Sequence, residues 1–283
     1  MGQTATTLPR TDPVSAREAL EGWQRGRGRA RLRLGGAGVT VLVLVVLSAF
    51  RCNVSPSDFA RGIGKALPLL AMFYPPEWSA FARMVRPIGI TLELALVGTV
   101  LGTCLSVPFA LAASSNVAPS WLRWTSRSLI AFERGLPEIV TLLLCVVAFG
   151  LGPLPGVIAL SIGSIGMLAK LLADAIEEIE PHVLESVRAT GATGWQVIRY
   201  AVLPEVFPSL LANCLFRFEV NVRASVLLGA VGAGGIGYEL NVAMESLEYP
   251  RATVAVLASF LLVFFSERFS DFLRARILAG GKP

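Results

Sequence analysis

Apolar residues along this chain gather in long runs separated by short polar stretches. A helix needs roughly 20 mostly apolar residues to cross a bilayer. The runs Leu34–Phe50, Pro87–Ala113, Ser128–Gly150, Pro155–Ala173, Val206–Val231 and Arg251–Phe269 meet or approach that length. The first contains the uninterrupted VTVLVLVVLSAF, whereas the third and fifth carry charged residues. The pattern predicts an all-α, polytopic integral membrane protein with about six transmembrane helices. One polar interruption, Glu185–Pro204, has internal order of its own. Pro181 suits a first helical turn, where a missing N–H costs nothing. Val183, Leu184, Val187 and Ala189 offer an apolar side, with Glu185 and Arg188 on the other. Gly191 and Gly194 permit a turn, and a second helix from Trp195 is expected to stop at Pro204. The result is a compact helical hairpin.

Composition agrees with the runs. Hydrophobic residues make up 54% of the chain and charged residues 16%, too apolar for a soluble domain of this size. Arginines set the orientation. Arg25, Arg27, Arg29, Arg31 and Arg33 precede the first run, which places the N-terminus in the cytoplasm. With six spans, Ser114–Arg127, Asp174–Pro204 and the C-terminal tail are cytoplasmic too, and they hold Arg123, Arg127, Arg188, Arg199, Arg274, Arg276 and Lys282. The opposite segments, Leu151–Leu154 and Gly232–Pro250, contain no Lys or Arg. The exception is the stretch between the first two runs, with Arg51, Arg61, Lys65, Arg83 and Arg86, long enough to be a small external element. The expected organisation is an arginine-rich cytoplasmic tail at 1–33, a first span at 34–50, an external segment at 51–86 and a membrane core at 87–278.

The net charge of +5 therefore reports topology more than a partner. The basic tail suits anionic lipid, and no recognition fold follows it that would suit nucleic acid. A basic-then-apolar start also resembles a secretory signal. Cys52 invites a lipoprotein reading, but Arg51 occupies the place where a small residue is needed, so the segment reads as an uncleaved span. Cys52, Cys104, Cys145 and Cys214 are scattered without metal spacing, and His182 is the single histidine. No metal site is expected.

Gly232-Ala-Gly234-Gly235-Ile-Gly237 formally matches G-x-G-x-x-G. A dinucleotide site would also need a parallel sheet and an acidic residue roughly 20 positions on, and another apolar run follows instead. No G-x-x-x-x-G-K-[ST] phosphate loop occurs, so energy from ATP would have to enter through another subunit. The glycines permit a helix break against protein or a water-filled cavity. They read either as a tight turn or as a flexible constriction at the external mouth.

Charges inside apolar runs are costly and mark a pathway by default. Glu219 and Arg223 stand four apart with the acid first, a favourable helical pair, and Arg217 and Asn221 form a neighbouring row. In the third run Glu133, Arg134 and Glu138 flank Pro137, which is expected to kink the helix. The alternative for all of these is a set of ion pairs holding helices together.

Two resemblances join these features. From Glu185 the chain reads Glu, two small or apolar residues, three more, Gly191, nine more, then Ala-Val-Leu203-Pro204. This resembles the EAA loop of ABC-importer permeases, with Ser186, Val187 and Ala201 in place of its Ala, Ala and Ile. FEVNVRASVLLGAVGAGGIG, from Phe218 to Gly237, and RGLPE, from Arg134 to Glu138, resemble the motifs of phosphonate-importer permeases. The similarity covers about Val85 to Ile277. The resemblance implies a type I ABC-importer permease fold, with Glu185, Arg188, Ala189, Gly191, Ala192, Leu203 and Pro204 in an ATPase-coupling loop. It also implies a path through Glu133, Arg134, Glu138, Arg217, Glu219, Asn221 and Arg223, with Gly232, Gly234, Gly235 and Gly237 as gate glycines. The implied partners are a second copy of this chain, two cytoplasmic ATPase subunits that carry ATP and Mg, and an extracytoplasmic phosphonate-binding protein. The implied setting is a bacterial inner membrane.

The expected function is a permease subunit importing phosphonate, phosphite or phosphate by alternating access, with no catalysis of its own. Rivals are a permease for another small solute such as an amino acid, and a secondary transporter using the same carboxylates. A membrane-embedded enzyme ranks last, because no nucleophile constellation or metal cluster is present.

Overall fold

The computed structural model describes residues 35–52 and 55–280, among which every regular element is helical. Expectations for the arginine-rich tail at 1–33 concern residues outside that set. The chain divides into two units after Leu70. In the first, helix α1 (Gly35–Arg51) is apolar on all sides, as a helix in an apolar medium must be. It is followed by α2 (Pro56–Met72). The Asp58 N–H donates to the Ser55 hydroxyl oxygen at 3.0 Å, which caps the first turn. The segment expected to be a small external element is thus largely helix.

In the second unit, which starts at Ala71, a short 3₁₀ turn, Trp78–Ala80, leads into α3 (Phe81–Ala113). α3 starts before the predicted Pro87, which lies inside it together with Pro108. Prolines are tolerated in membrane helices because neighbouring groups satisfy the freed carbonyls. Next come α4 (Ser120–Arg134) and α5 (Glu138–Phe149). The third expected span, Ser128–Gly150, is therefore two helices and not one kinked helix. Pro137 has an extended backbone (φ −61°, ψ 132°), so Gly135–Pro137 ends one helix and N-caps the next instead of bending a continuous one. α6 (Pro153–Glu177) follows, then α7 (Pro181–Ala189), both with proline in the first turn.

A second correction falls at Pro204. The helix that starts with α8 (Gly194–Val197) does not stop there; it passes through a π turn, Ile198–Val202, into α9 (Leu203–Leu228). The Leu203 N–H donates to the Ile198 carbonyl, five residues back. That wider turn places proline at the start of a new α-helical register, where it needs no N–H. Gly194 opens α8 rather than serving the turn, which falls to Gly191 (φ +82°). Beyond α9 a wide turn over Gly229–Ala233, kinked at Gly232, leads to α10 (Ile236–Glu245) and α11 (Tyr249–Gly280).

By length and composition, the helices over Trp78–Ala113, Pro153–Glu177 and Tyr249–Ile277 suffice to cross a membrane. Gly194–Ala233 and Ile236–Glu245 together pass the same test and are bent by 52° at their break. α1 and α5 are shorter apolar helices. α3 and α6 form the closest contact. A Cβ on Gly98 would lie 2.7 Å from that of Leu160, and one on Gly102 would overlap the Ser164 side chain and stand 2.9 Å from the Ser161 carbonyl. Small residues four apart let two backbones approach, the membrane solution to packing without a water-driven hydrophobic effect. Around this contact lie apolar clusters. One contains Leu94, Leu142, Leu160 and Leu228, and another, at Met84, Val222, Ile236 and Val254, joins α3, α9, α10 and α11. A further cluster seats Leu184, Val197 and Val202 of the hairpin region against Ala110, Ile130 and Ala169.

The α3–α6 contact predicts its own failure. Gly102→Val should destabilise the fold by about 1–3 kcal/mol, the cost of overpacking a tight core. Thermal unfolding of the detergent-solubilised protein measures this, with Gly89→Val, whose site is open, leaving the midpoint unchanged.

Candidate functional site

α9 places Arg217, Asn221 and Ser225 four residues apart, and all three are buried on one side. Arg217, 4% exposed, donates from Nη2 to Glu138 Oε1 at 2.7 Å, from Nε to Ser164 Oγ at 2.9 Å and from Nη1 to the Met167 sulfur at 3.5 Å. Asn221 donates from Nδ2 to Thr99 Oγ1 at 2.8 Å and to Ser164 Oγ at 3.0 Å. Ser164 and Thr99 send their own hydrogens to the Leu160 and Ala95 carbonyls, at 2.6 Å each. With their hydrogens so committed, both hydroxyls act toward Asn221 and Arg217 only as acceptors. The network joins α3, α5, α6 and α9 and balances one buried cation with one carboxylate. Beside this network two buried oxygens, Asn221 Oδ1 and Glu133 Oε2, are among those left without a hydrogen-bond partner in the described residues.

The break between α4 and α5 supplies that carboxylate. Glu138 stands in the first turn of α5, where the helix end favours negative charge. α6 makes room for it. A Cβ on Gly163 would lie 3.0 Å from Glu138 Oε1 and 3.1 Å from Arg217 Nη2. A Cβ on Gly166 would overlap the Glu133 carboxylate and come within 2.9 Å of Arg134 Cγ. Glu133, Arg134, Glu138, Arg217 and Asn221 are thus brought to one region of α6.

Glu219 and Arg223 are not. Their 3.4 Å pair lies on another side of α9, where Arg223 also pairs with Glu267 of α11. Arg274 of α11 approaches Glu219 at 3.6 Å and Asp271 at 3.5 Å, and lies over the Phe216 ring. These charges tie α9 to α11, and the Arg223 side chain is 53% exposed.

The glycine segment is packed rather than open. Gly232, Gly234 and Gly235 have φ of +111°, +88° and +74°, conformations that side chains resist. The Gly152 N–H donates to the Gly232 carbonyl at 3.0 Å. Thr91 of α3 accepts the Ile236 N–H at 2.9 Å, capping α10, while donating to the Pro87 carbonyl. Gly237 lies directly against the Val226 carbonyl, which leaves no space for a side chain.

In the hairpin, Leu184 is buried while Glu185, Arg188 and Ala189 are exposed, so Ala189 does not join the apolar side. Arg188 donates to the Asn116 carbonyl at 3.2 Å, tying α7 to the α3–α4 connection. Thr193 and Gln196 form a capping box that starts the second helix. An open cleft of about 460 Å³ is lined by Ser186, Val187, Thr190, Gly191, Ala192, Gln196 and Tyr200. Trp195 and Tyr200 are 65% and 66% exposed. Leu203 and Pro204 stand beyond the π turn, on the shaft of the long helix. Among the described residues no cluster of His, Cys, Asp and Glu is arranged to hold a metal.

Sequence reasoning found the charges but missed Thr91, Thr99 and Ser164, the hydroxyls that orient them. The available signal was small polar residues spaced near whole helical turns within apolar runs: Thr91, Thr99 and Ser106 in α3, and Ser161 and Ser164 beside Gly163 and Gly166 in α6.

Comparison with known proteins places this arrangement. Residues 102–279 match the family described as "Binding-protein-dependent transport system inner membrane component". The chain is 41% identical over 216 residues to the phosphate-import permease protein PhnE of Mycolicibacterium smegmatis, a match covering 72% of this chain and 41% of that protein. It therefore spans less than half of that relative's length. It is 36% identical over 214 residues to the phosphite transport system permease protein PtxC of Stutzerimonas stutzeri, covering 75% of this chain and 78% of that one. Its fold is similar to a chain of the MetNI methionine ABC transporter in an inward-facing conformation, with a TM-score of 0.60 and 23% identity over 69% of this chain and 95% of that one.

The Arg217–Glu138 contact yields a double-mutant test. Glu138→Gln and Arg217→Gln should each destabilise the protein. The double substitution should cost less than the sum, with a coupling of about 0.5–3 kcal/mol, read from thermal unfolding in detergent. Additive effects would mean that the pair contributes no interaction energy.

Proposed function

The chain belongs to the family of binding-protein-dependent transport system inner membrane components, and from that premise we propose that it imports a phosphorus oxyanion: phosphonate, phosphite or phosphate. As a member of that family it is a multi-pass membrane permease and a transport subunit, not an enzyme. The observation that carries the choice of cargo is the pair of relatives above, one a phosphate-import permease and the other a phosphite permease.

In this reading the exposed face of the hairpin, at Glu185, Arg188, Ala189, Gly191 and Ala192, receives a cytoplasmic ATPase that binds ATP and Mg. Leu203 and Pro204 carry the motion into α9. A second copy of this chain completes the path, and an extracytoplasmic binding protein delivers the anion. The membrane is the bacterial inner membrane, with the N-terminus in the cytoplasm. Exposed apolar residues of α5 such as Leu144 and Val147 (66% and 88% exposed) support a neighbouring copy or lipid on that side.

The Glu133–Glu138–Arg217–Asn221 region is the charged part of the path. Arg217 is already neutralised by Glu138, so a passing oxyanion competes with a carboxylate for the guanidinium fork. Competition of this kind favours transient contact over tight retention, as a path that must release its cargo requires. Glu219 and Arg223 fasten α9 to α11 and stand apart from this step. Gly232, Gly234, Gly235 and Gly237 form the outer closure, held shut by Thr91.

The deciding experiment is ATP-driven uptake by proteoliposomes containing this chain, its ATPase and its binding protein. Phosphate, phosphite and methylphosphonate are compared with methionine. Uptake of at least one phosphorus oxyanion and none of methionine is expected; the reverse would overturn the cargo assignment. In the same system Gly191→Val should abolish coupling, since its φ of +82° is closed to β-branched residues. The variant should reach the membrane yet lose ATPase co-purification and at least tenfold of uptake.

A further inference from the structure

α4 carries a basic stripe that the transport reading leaves unused. Ser120, Arg123, Trp124, Arg127 and Ser128 recur three or four residues apart, hence on one side of the helix, and with Ala131 they line an open cleft of about 500 Å³. Trp121 and Trp124 are 70% and 72% exposed. Arg127 is committed to structure, donating to the Ala113 carbonyl at 2.9 Å and pairing with Glu177. Arg123 pairs with no carboxylate among the described residues. Sharing Arg127 and Ala131 with this cleft is a second cavity of about 150 Å³. Its lining adds Arg134 and Lys170 to the apolar surfaces of Ala113, Ile130 and Ala173. Lys170 is paired with Asp174.

The position of the stripe narrows the ligand. It lies at the end of a membrane-spanning segment, on the same side as the α7–α8 hairpin. The α3–α4 connection is fastened there by Arg188 to the Asn116 carbonyl, by Asn116 Nδ2 to the Ile176 carbonyl at 2.7 Å, and by the Ser115 N–H to Glu177 at 2.6 Å. Exposed tryptophans at such a level mark the membrane–water interface, and basic pockets between membrane helices bind anionic headgroups. Leu129 and Phe132 are also exposed on α4, at 52% and 66%, so the surroundings suit a molecule with an apolar body better than a hydrated free anion. An unpaired cation, two hydroxyls, an aromatic ring and a neighbouring apolar cavity match a phosphate monoanion attached to acyl chains.

We propose that the Ser120–Ser128 side of α4 binds the phosphate headgroup of an anionic phospholipid at the base of the hairpin. Arg123 supplies the charge, Ser120 and Ser128 donate hydrogen bonds, and Trp124 packs on the glycerol region. The site is distinct from the cargo path and stands whichever solute is carried. Its link to the hairpin runs through Asn116 and Glu177.

The test uses the full-length chain in mixed micelles and reads tryptophan quenching by dibrominated phosphatidylglycerol against dibrominated phosphatidylcholine. Subtracting the Trp124→Phe variant isolates the Trp124 signal. Phosphatidylglycerol should quench Trp124 at a lower mole fraction than phosphatidylcholine. Arg123→Gln should weaken that preference about fivefold, the effect of one basic residue near an anionic lipid surface. Arg276→Gln, exposed on α11, should leave it intact. Circular dichroism should show both variants folded. Equal quenching by the two lipids, a preference that survives Arg123→Gln, or one lost equally in Arg276→Gln would overturn the proposal. So would displacement of the lipid by millimolar inorganic phosphate, which would make this a free-anion site. Absence of quenching by either lipid would also overturn it, because a protein surface such as a second copy would then cover α4.

Discussion

A guanidinium cannot shed its proton to escape an apolar environment. Arg217 is buried midway along α9, and much of the surrounding architecture follows from having to satisfy it. Its carboxylate partner cannot come from α9 itself without leaving the packed side of that helix. It comes instead from Glu138, and Glu138 reaches it because the α4–α5 segment is broken at Gly135–Pro137. Had that segment been one helix, residues 133 and 138 would have faced different directions about its axis. The break turns both toward α6, and Gly163 and Gly166 clear the space they enter.

The same demand explains why α3 and α6 pack so closely. Ser164 and Thr99 must both reach Asn221, and a serine or threonine hydroxyl reaches only a short distance from its backbone. Gly98 and Gly102 bring the two helices near enough for α9 to insert its polar row over their contact. A larger residue at either position would separate the hydroxyls before it altered any charge. Polar satisfaction and close packing are here one constraint, since unmet hydrogen bonds in the low-dielectric interior are costly.

Helix class, the hairpin and the buried charges were legible because each leaves a local signature. Long apolar runs, proline at a first turn and glycine at a positive-φ position act on their neighbours in sequence. What was not legible depends on distant partners. The Arg217–Glu138 contact joins residues 79 apart, and no spacing rule prefers it to Glu219–Arg223, which is four apart and lies on another side of the same helix. Pro137 and Pro204 show the same limit within the backbone. Both were expected to act by simple rules, one by kinking and the other by stopping a helix. Gly135 and the extended Pro137 instead make a full break, while a π turn carries the chain past Pro204. Which outcome wins is decided by packing, in the first case by α6 receiving Glu138 and in the second by buried Ala201 and Val202 on the π turn itself.

Continuity past Pro204 has a mechanical consequence. From Gly194 the helix runs on through Arg217 to the glycine segment, with a π turn near the hairpin and a kink at Gly232. A displacement imposed at the hairpin can be taken up at the π turn, where hydrogen bonds are already rearranged, or carried along α9. If it is carried, rotation of α9 pulls Arg217 away from Glu138, which is fixed on a different helix. It also strains the Thr91 bond to Ile236, which locks the glycine segment to α3. The hairpin at one end, a charge pair in the middle and the glycine segment at the far end then lie on one shaft. The proposed import by alternating access would require such an element, because two independent gates could both stand open and dissipate a gradient.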